Sequence, residues 1–473
     1  MTLAIYICLA FLIGFFELSR RRVFFFDAIF YANVVYFIFY ALLPITLIIV
    51  PEWKTDVFRF YAVDVERIDL ALICFLGYAL LFLGWFWGDY LQVRPFSLGF
   101  SQQGIKNLVI IGLAIGITSY FLYVSTFGGI WNSILYGSAI RYGRVEIESA
   151  STGRTEVFKY FVPALNMVFL YCMARVFAGV PLRRGYRTIL LFSGLFLLLY
   201  ILSTASRGAL AGLILAVIII SIFQLEGRRI NIFQGFCAHV WFAWVSSIVI
   251  IVIIILYGKQ LFWALPFLLT DGPDTFTKEF LVIHNVRTGG GVIVFRDTIL
   301  REAAHGLSSL SAVIDHFMDK EAYLWFRDYW LLPQHMIPTK LLGLEKTVPP
   351  TVSAINTEIM QGQLLASSPP AILAMLIYNA GYPGILLMFF YGFLGRLVQN
   401  KFTQMETTPE RNVMLFYFVY LYGGFIGNAD IKVYAYSDFP LVLLIVFFFV
   451  LKLTRAIHTR CKTAASAVIS SKE

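Results

Sequence analysis

Apolar residues run in long blocks separated by short polar connections, most of them basic. Blocks at 2–16, 25–50, 68–88, 106–125, 159–178, 187–204, 207–224 and 239–257 are followed by a long mixed segment, and three more lie at 369–395, 412–427 and 438–454. Most approach or exceed the roughly 20 residues that carry a helix across a 30 Å hydrocarbon layer. The pattern predicts an all-α polytopic membrane protein with about eleven transmembrane helices. It divides the chain into 1–257 with helices one to eight, a large extracytoplasmic segment 258–368, 369–454 with helices nine to eleven, and a cytoplasmic tail 455–473. The large segment holds candidate helices at 292–305 and 308–332. In the second, Leu310, Val313, Phe317, Leu324 and Leu331 fall roughly on one side, as in an amphipathic helix lying along a membrane or capping a bundle.

Composition supports the membrane reading, since 59% of residues are apolar and only 14% charged, against about 25% charged in a soluble domain. There is no P-loop, no zinc-type cysteine spacing and no internal repeat. The net charge of +9 fits basic cytoplasmic loops better than a nucleic-acid partner. With the N-terminus outside, the inside connections hold Arg20 to Arg22, Arg94 with Lys106, Arg175 to Arg187, Arg228 with Arg229, and Arg396 to Arg411, and the tail adds Lys452 to Lys462. This predicts N-out, C-in. Arg20 to Arg22 follow the first apolar block instead of preceding it, so that block reads as a retained helix and not a secretory signal. No cysteine falls in an outside loop, and no extracytoplasmic disulfide is expected.

Against this apolar background, the outward-facing cations are candidates for chemistry. The segment 141–158 carries Arg141, Arg144 and Arg154 interspersed with Glu146, Glu148 and Glu156. It is either a solvated ion-paired loop or an anion site, since the guanidinium fork matches phosphate geometry. Residues 203–210, Ser-Thr-Ala-Ser-Arg-Gly-Ala-Leu, join two apolar blocks through a very tight turn, and Gly208 permits close backbone approach there. Arg207 on that turn is either a snorkelling anchor or a fixed cation suited to a lipid-linked phosphate. In the large segment Arg301 and His305 are four apart and share a helix face, with Arg296 loosely aligned. The histidines show no metal spacing, and His305 and His316 are each either a hydrogen-bonded structural histidine or a proton acceptor near neutral pH. Pro370 opens the ninth block, and Asn379, Gly381 and Gly384 interrupt it as a predicted kink.

The arrangement resembles the Wzy-type O-antigen and exopolysaccharide repeat-unit polymerases, which are related to the O-antigen ligases. The resemblance rests on the block count, the late outer segment, the arginine loop at Arg141, Arg144 and Arg154, Arg207 with Gly208, and the stretch around Ser368, Pro370, Asn379, Gly381 and Gly384. It implies a metal-independent, cofactor-free glycosyltransferase of the bacterial cytoplasmic membrane, working on the extracytoplasmic face. Donor and acceptor would both be undecaprenyl-diphosphate-linked oligosaccharides, and a chain-length regulator is an expected partner. Arg207, with Arg301 or Arg296, would stabilise the departing diphosphate, while Arg141 and Arg154 would hold the acceptor's or steer anionic substrates in, with Arg144 in the same anion-binding set. His305 is the first choice of base and His316 the second, with Glu358 and Asp328 as acidic competitors. Trp325, Phe326, Tyr329 and Trp330 would either stack on sugars or anchor at the membrane surface. An O-antigen ligase shares these features, and a polysaccharide or lipid transporter is the alternative from another class.

Overall fold

The computed structural model describes residues 1–20, 26–58, 61–91, 102–141, 156–181, 184–226, 238–288, 300–317, 323–336, 349–362, 368–438 and 440. Every regular element among them is helical. In chain order the principal helices are α1 (Thr2–Ser19), α2 (Ala28–Ile49), α3 (Ile68–Asp89), α4 (Gln102–Ser125), α5 (Ile130–Arg141), α6 (Ala164–Phe177), α7 (Arg184–Ser203) and α8 (Arg207–Glu226). They continue as α9 (Ala238–Thr270), α10 (Pro273–Thr288), α11 (Arg301–Ala312), α12 (Val352–Gln361), α13 (Ile372–Ala380), α14 (Leu387–Gln404), α15 (Pro409–Gly427) and α16 (Ile431–Ser437). Among the described residues six helical segments are long and apolar enough to cross a membrane: α1, α2, α3, α4, Val157–Phe177 and α7. The predicted span 438–454 and the tail 455–473 lie outside the described residues, save 438 and 440.

Side-chain contacts sort the helix ends into two faces. Thr2 Oγ1 donates to the Glu66 carbonyl at 2.8 Å, Tyr61 meets Asp315 and His316, and Arg301 reaches the Asp56 carbonyl, so residues 51–58, 61–69 and 300–317 share one loop-rich end. At the other end Arg20 pairs with Glu17 and Asp27, Arg396 pairs with Asp89, and Arg175 lies 4.6 Å from the centre of the Tyr186 ring. This second, arginine-rich end is made by the short connections whose basic residues stand out in the sequence.

Helices α3 and α14 meet at backbone contact. A Cβ added at Gly84 would lie 1.9 Å from the Phe389 carbonyl oxygen, and one at Gly392 would lie 2.1 Å from that of Leu81. Only glycine lets the two backbones touch in this way. At the arginine-rich end of the seam Arg396 Nε donates to Asp89 Oδ1 at 2.6 Å while its guanidinium covers the Trp85 ring.

Four predicted features differ from the structure. The block 369–395 is not one span. It contains α13 and α14, and Gly381 (φ +65°) breaks the helix between them. A Cβ at Gly384 would lie 2.3 Å from the Leu376 carbonyl oxygen, a contact that a continuous helix forbids over eight residues. The predicted kink at Gly381 and Gly384 is therefore a full break in the helix. The helix predicted at 239–257 runs on to Thr270 through Pro266, and α10 packs back on it, with Trp263 Nε1 donating to Glu279 at 2.9 Å. Of the helices predicted at 292–305 and 308–332, residues 292–299 and 318–322 lie outside the described residues; α11 runs straight across the predicted gap at 306–307 and passes into a π-helical turn, Val313–Phe317. It buries Ala303, Ala304, Leu307, Leu310 and Val313, the side on which the sequence had placed Leu310 and Val313. Finally, the loop 126–158 contains α5, introduced by Gly128 and Gly129, both at positive φ.

Candidate functional site

At the loop-rich end the residues of interest form two groups. The first surrounds the turn between α7 and α8. Helix α5 crosses this turn so closely that a Cβ at Gly137 would lie 1.9 Å from the Ser203 carbonyl oxygen. The crossing is fixed by a hydroxyl contact of 2.8 Å between Ser133 and Ser203, with Tyr120 Oη 3.3 Å from Ser203 Oγ. Ala205 has φ +46°, a left-handed conformation that costs a non-glycine residue on the order of 1–2 kcal/mol. Arg141 ends α5 four residues after Gly137, and Arg207 begins α8 four residues after Ser203. Each arginine thus follows the contact by four residues, Arg141 about one helical turn beyond Gly137 and Arg207 across the turn from Ser203. Gly208 is exposed, with open space around its Cα. Arg144, Arg154 and Arg296 lie outside the described residues.

The second group gathers residues far apart in sequence. Tyr61 Oη donates to Asp315 Oδ2 at 2.9 Å and lies 3.0 Å from His316 Nδ1, while Arg67 pairs with both Asp315 and Asp69. A carboxylate only accepts, so the single Tyr61 proton goes to Asp315 and the His316 Nδ1–H donates to Tyr61. Burial, and after it the bond to Asp315, pushes the Tyr61 phenol above its usual range, which keeps it a donor. The network therefore assigns the Nδ1–H tautomer and leaves His316 Nε2 as a proton acceptor on an exposed ring. His305 differs. Its Nε2 lies 2.7 Å from the Pro369 carbonyl and must donate to it, tying α11 to the chain entering α13. Glu358 is exposed on α12, and Arg301 Nη2 donates to the Asp56 carbonyl at 3.3 Å.

Behind these groups lies a buried polar layer. Asn356 donates to Ser309 Oγ and to the Ser368 carbonyl and accepts from Tyr378. The Pro370 carbonyl accepts from Ala429 N at 2.8 Å. Asn379, predicted only as part of a kink, is 1% exposed; its side chain accepts from Phe326 N at 2.7 Å and donates to the Met375 carbonyl at 2.7 Å. Asp328 accepts from Val352 N at 2.7 Å, and its Oδ1 has no partner among the described residues. It borders a cavity of about 10 Å³, room for one water, together with Asp430 and Ser353. Burial raises the Asp328 carboxyl above its usual range, opposed by the Val352 N–H and reinforced by Asp430.

The sign of that shift gives a prediction. A carboxyl raised in the folded state contributes most stability when protonated, below the ordinary value of about 3.9, and loses it as pH rises through its folded value. Asp328→Asn keeps an oxygen for Val352 N–H and cannot ionise. Its unfolding midpoint minus that of the wild type is expected to grow as pH rises from about 4 toward neutrality. A difference independent of pH would count against the assignment.

Sequence reasoning did not single out Tyr61, Arg67 or Asp315 as a unit. Among the described residues no group of three or more His, Cys, Asp or Glu side chains could hold a metal. No protein-family model matches the chain, and neither the curated proteins nor the solved structures include a match to it. The fold itself defines the class: an all-α chain with several helices that can cross a membrane.

Proposed function

We propose that the protein is an integral-membrane glycosyltransferase that polymerises undecaprenyl-diphosphate-linked oligosaccharide repeat units. It would have about eleven spans in a bacterial cytoplasmic membrane, with the N-terminus and the loop-rich end outside and the C-terminus inside. The collection of Arg20, Arg175, Arg396 and Arg411 toward the opposite end supports this orientation. The observation that carries the reading is the α5 crossing at Ser203, from which Arg141 and Arg207 each stand four residues along the chain, at the end of α5 and the start of α8. Two arginines fixed by backbone packing suit the charge that develops on a departing diphosphate.

In the proposed reaction the bond from the donor's anomeric carbon to the diphosphate oxygen breaks. An acceptor hydroxyl oxygen forms the new glycosidic bond, and its proton passes to His316 Nε2. His316 takes precedence over His305 as base because the Nε2 of His305 is occupied by Pro369. No metal or nucleotide sugar enters the scheme.

The test is the surface-polysaccharide ladder in cells lacking the gene, complemented with wild type or Arg207→Ala. Wild type should restore long chains. The variant, present in the membrane at the same level, should lose elongation by about 10²-fold and leave acceptors bearing a single repeat unit. Lipid-linked polymer accumulating without reaching its final acceptor would favour a ligase. A ladder unchanged in the deletion strain would overturn both readings.

A further inference from the structure

Ala205, Trp325 and Phe326 are the non-glycine residues with positive φ among the described residues, and the last two are consecutive and bulky. Trp325 has φ +46° and an indole that is 68% exposed; Phe326 has φ +56° and a half-buried ring packed edge-on against Tyr329. Two adjacent left-handed aromatic residues persist only where their surroundings fix them. Here the end of α13 does so. Leu324 N donates to the Tyr378 carbonyl at 3.1 Å and Trp325 N to the Asn379 carbonyl at 3.0 Å, while Phe326 N donates to the Asn379 side chain. Tyr323 lies against Gly381 and meets the Trp325 ring edge-on, with centroids 6.1 Å apart. The next residue, Tyr382, is 42% exposed and feels the charges of Asp69, Arg67 and Asp315.

We infer that Trp325 is a stacking platform for the apolar face of a pyranose ring and that Asn379 is the residue that positions it. The inference rests on the glycan-transfer reading for its choice of substrate class. An indole that anchors a protein among lipid headgroups gains by partition and needs a depth, not an orientation. Trp325 instead has its orientation imposed, through strained backbone and a buried amide whose other bond, to Met375 O, leaves it no freedom to turn. An exposed apolar surface bordered by polar groups marks a ligand site, and here Tyr323 borders the indole while Tyr382, beyond Gly381, is within electrostatic reach of Arg67, Asp69 and Asp315. A pyranose has the matching form, with a C–H face for the ring and hydroxyls for the polar groups.

The test follows Trp325 emission, taken as wild type minus Trp325→Phe, in protein reconstituted into phosphatidylethanolamine–phosphatidylglycerol vesicles. Iodide should quench this component, and lipids brominated in their acyl chains should not. The probes are methyl pyranosides of glucose, galactose, mannose, rhamnose and N-acetylglucosamine, with sorbitol as the acyclic control. At least one pyranoside should lower the iodide quenching constant about twofold, and sorbitol should leave it unchanged. Asn379→Ala should abolish this protection, and Asn379→Asp should restore it only at acid pH, where the protonated carboxyl again offers both an acceptor to Phe326 N–H and a donor to Met375 O. Quenching by brominated lipid would overturn the platform in favour of a membrane anchor, and so would failure of every pyranoside to protect. Because no chain elongation is measured, protection with an unchanged polysaccharide ladder would sink the polymerase reading and leave the platform standing.

Discussion

Replacing His316 by alanine is expected to lower repeat-unit transfer by about 10²–10⁴-fold, the usual contribution of a positioned general base. The expectation comes from one proton count. Tyr61 has a single hydrogen and gives it to Asp315, so the imidazole supplies its own to Tyr61 and keeps Nε2 for the substrate. Tyr61→Phe and Asp315→Ala remove the groups that fix the tautomer, not the base itself, and should cost less than His316→Ala. Because the imidazole is exposed, the substitution should change stability by no more than about 0.5 kcal/mol. His305→Ala should behave in the opposite way. It breaks a bond between α11 and Pro369, so its main effect should be on the unfolding midpoint. Elongation of a radiolabelled lipid-linked repeat unit by purified protein, with thermal unfolding measured beside it, separates the two histidines. Equal rates for wild type and His316→Ala would remove His316 from the chemistry.

The sequence exposes the parts of this architecture that depend on local pattern. Long apolar blocks mark α1 to α4 and α7 because a helix crossing lipid must be apolar over its whole length. The turn before Arg207 is legible for a related reason, since two apolar blocks with almost nothing between them force a tight reversal. What the sequence conceals is pairing over distance. Arg67 and Asp315 are separated by 248 positions, and the mixed charges of 51–67 look like ordinary solvated residues until Tyr61 and Arg67 are seen against the π-helical turn that follows α11. Asn379 reads as part of a kink because its partner, Phe326, is 53 residues away. The helix break at Gly381 is hidden because residues on both sides are apolar and glycine is tolerated inside spans. Apolar pattern alone reports that the segment is buried, not that it turns. The extension of α9 to Thr270 is masked in a similar way by Lys259 and Gln260, which resemble the end of a span although the helix continues through them.

Gly84→Ala is expected to be strongly destabilising for the addition of a single methyl group. Its Cβ would lie 1.9 Å from the Phe389 carbonyl oxygen, and that neighbour is backbone, which cannot rotate away as a side chain would. Restoring contact distance requires α3 and α14 to separate by more than an ångström along a seam that also includes Gly392 on Leu81 and Gly88 on Arg396. Overpacking in a close-packed interior typically costs about 1–3 kcal/mol, occasionally more, and the loss should lie at or above the top of that range. Gly14→Ala is the control. It also lies within a membrane-length helix, but nothing lies within 4 Å of its Cβ position, so it should gain roughly 0.5–1 kcal/mol from helix propensity. Unfolding midpoints and monodispersity of the two variants in the same detergent check the pair. The consequence should reach the opposite end of the molecule, because α14 is the helix that follows the break at Gly381 and Gly384. That break carries Asn379 on one side and Tyr382 on the other, so displacing α14 should also reduce transfer in whatever Gly84→Ala protein remains folded. A Gly84→Ala protein with a wild-type unfolding midpoint would show that the α3–α14 seam is looser than backbone contact requires.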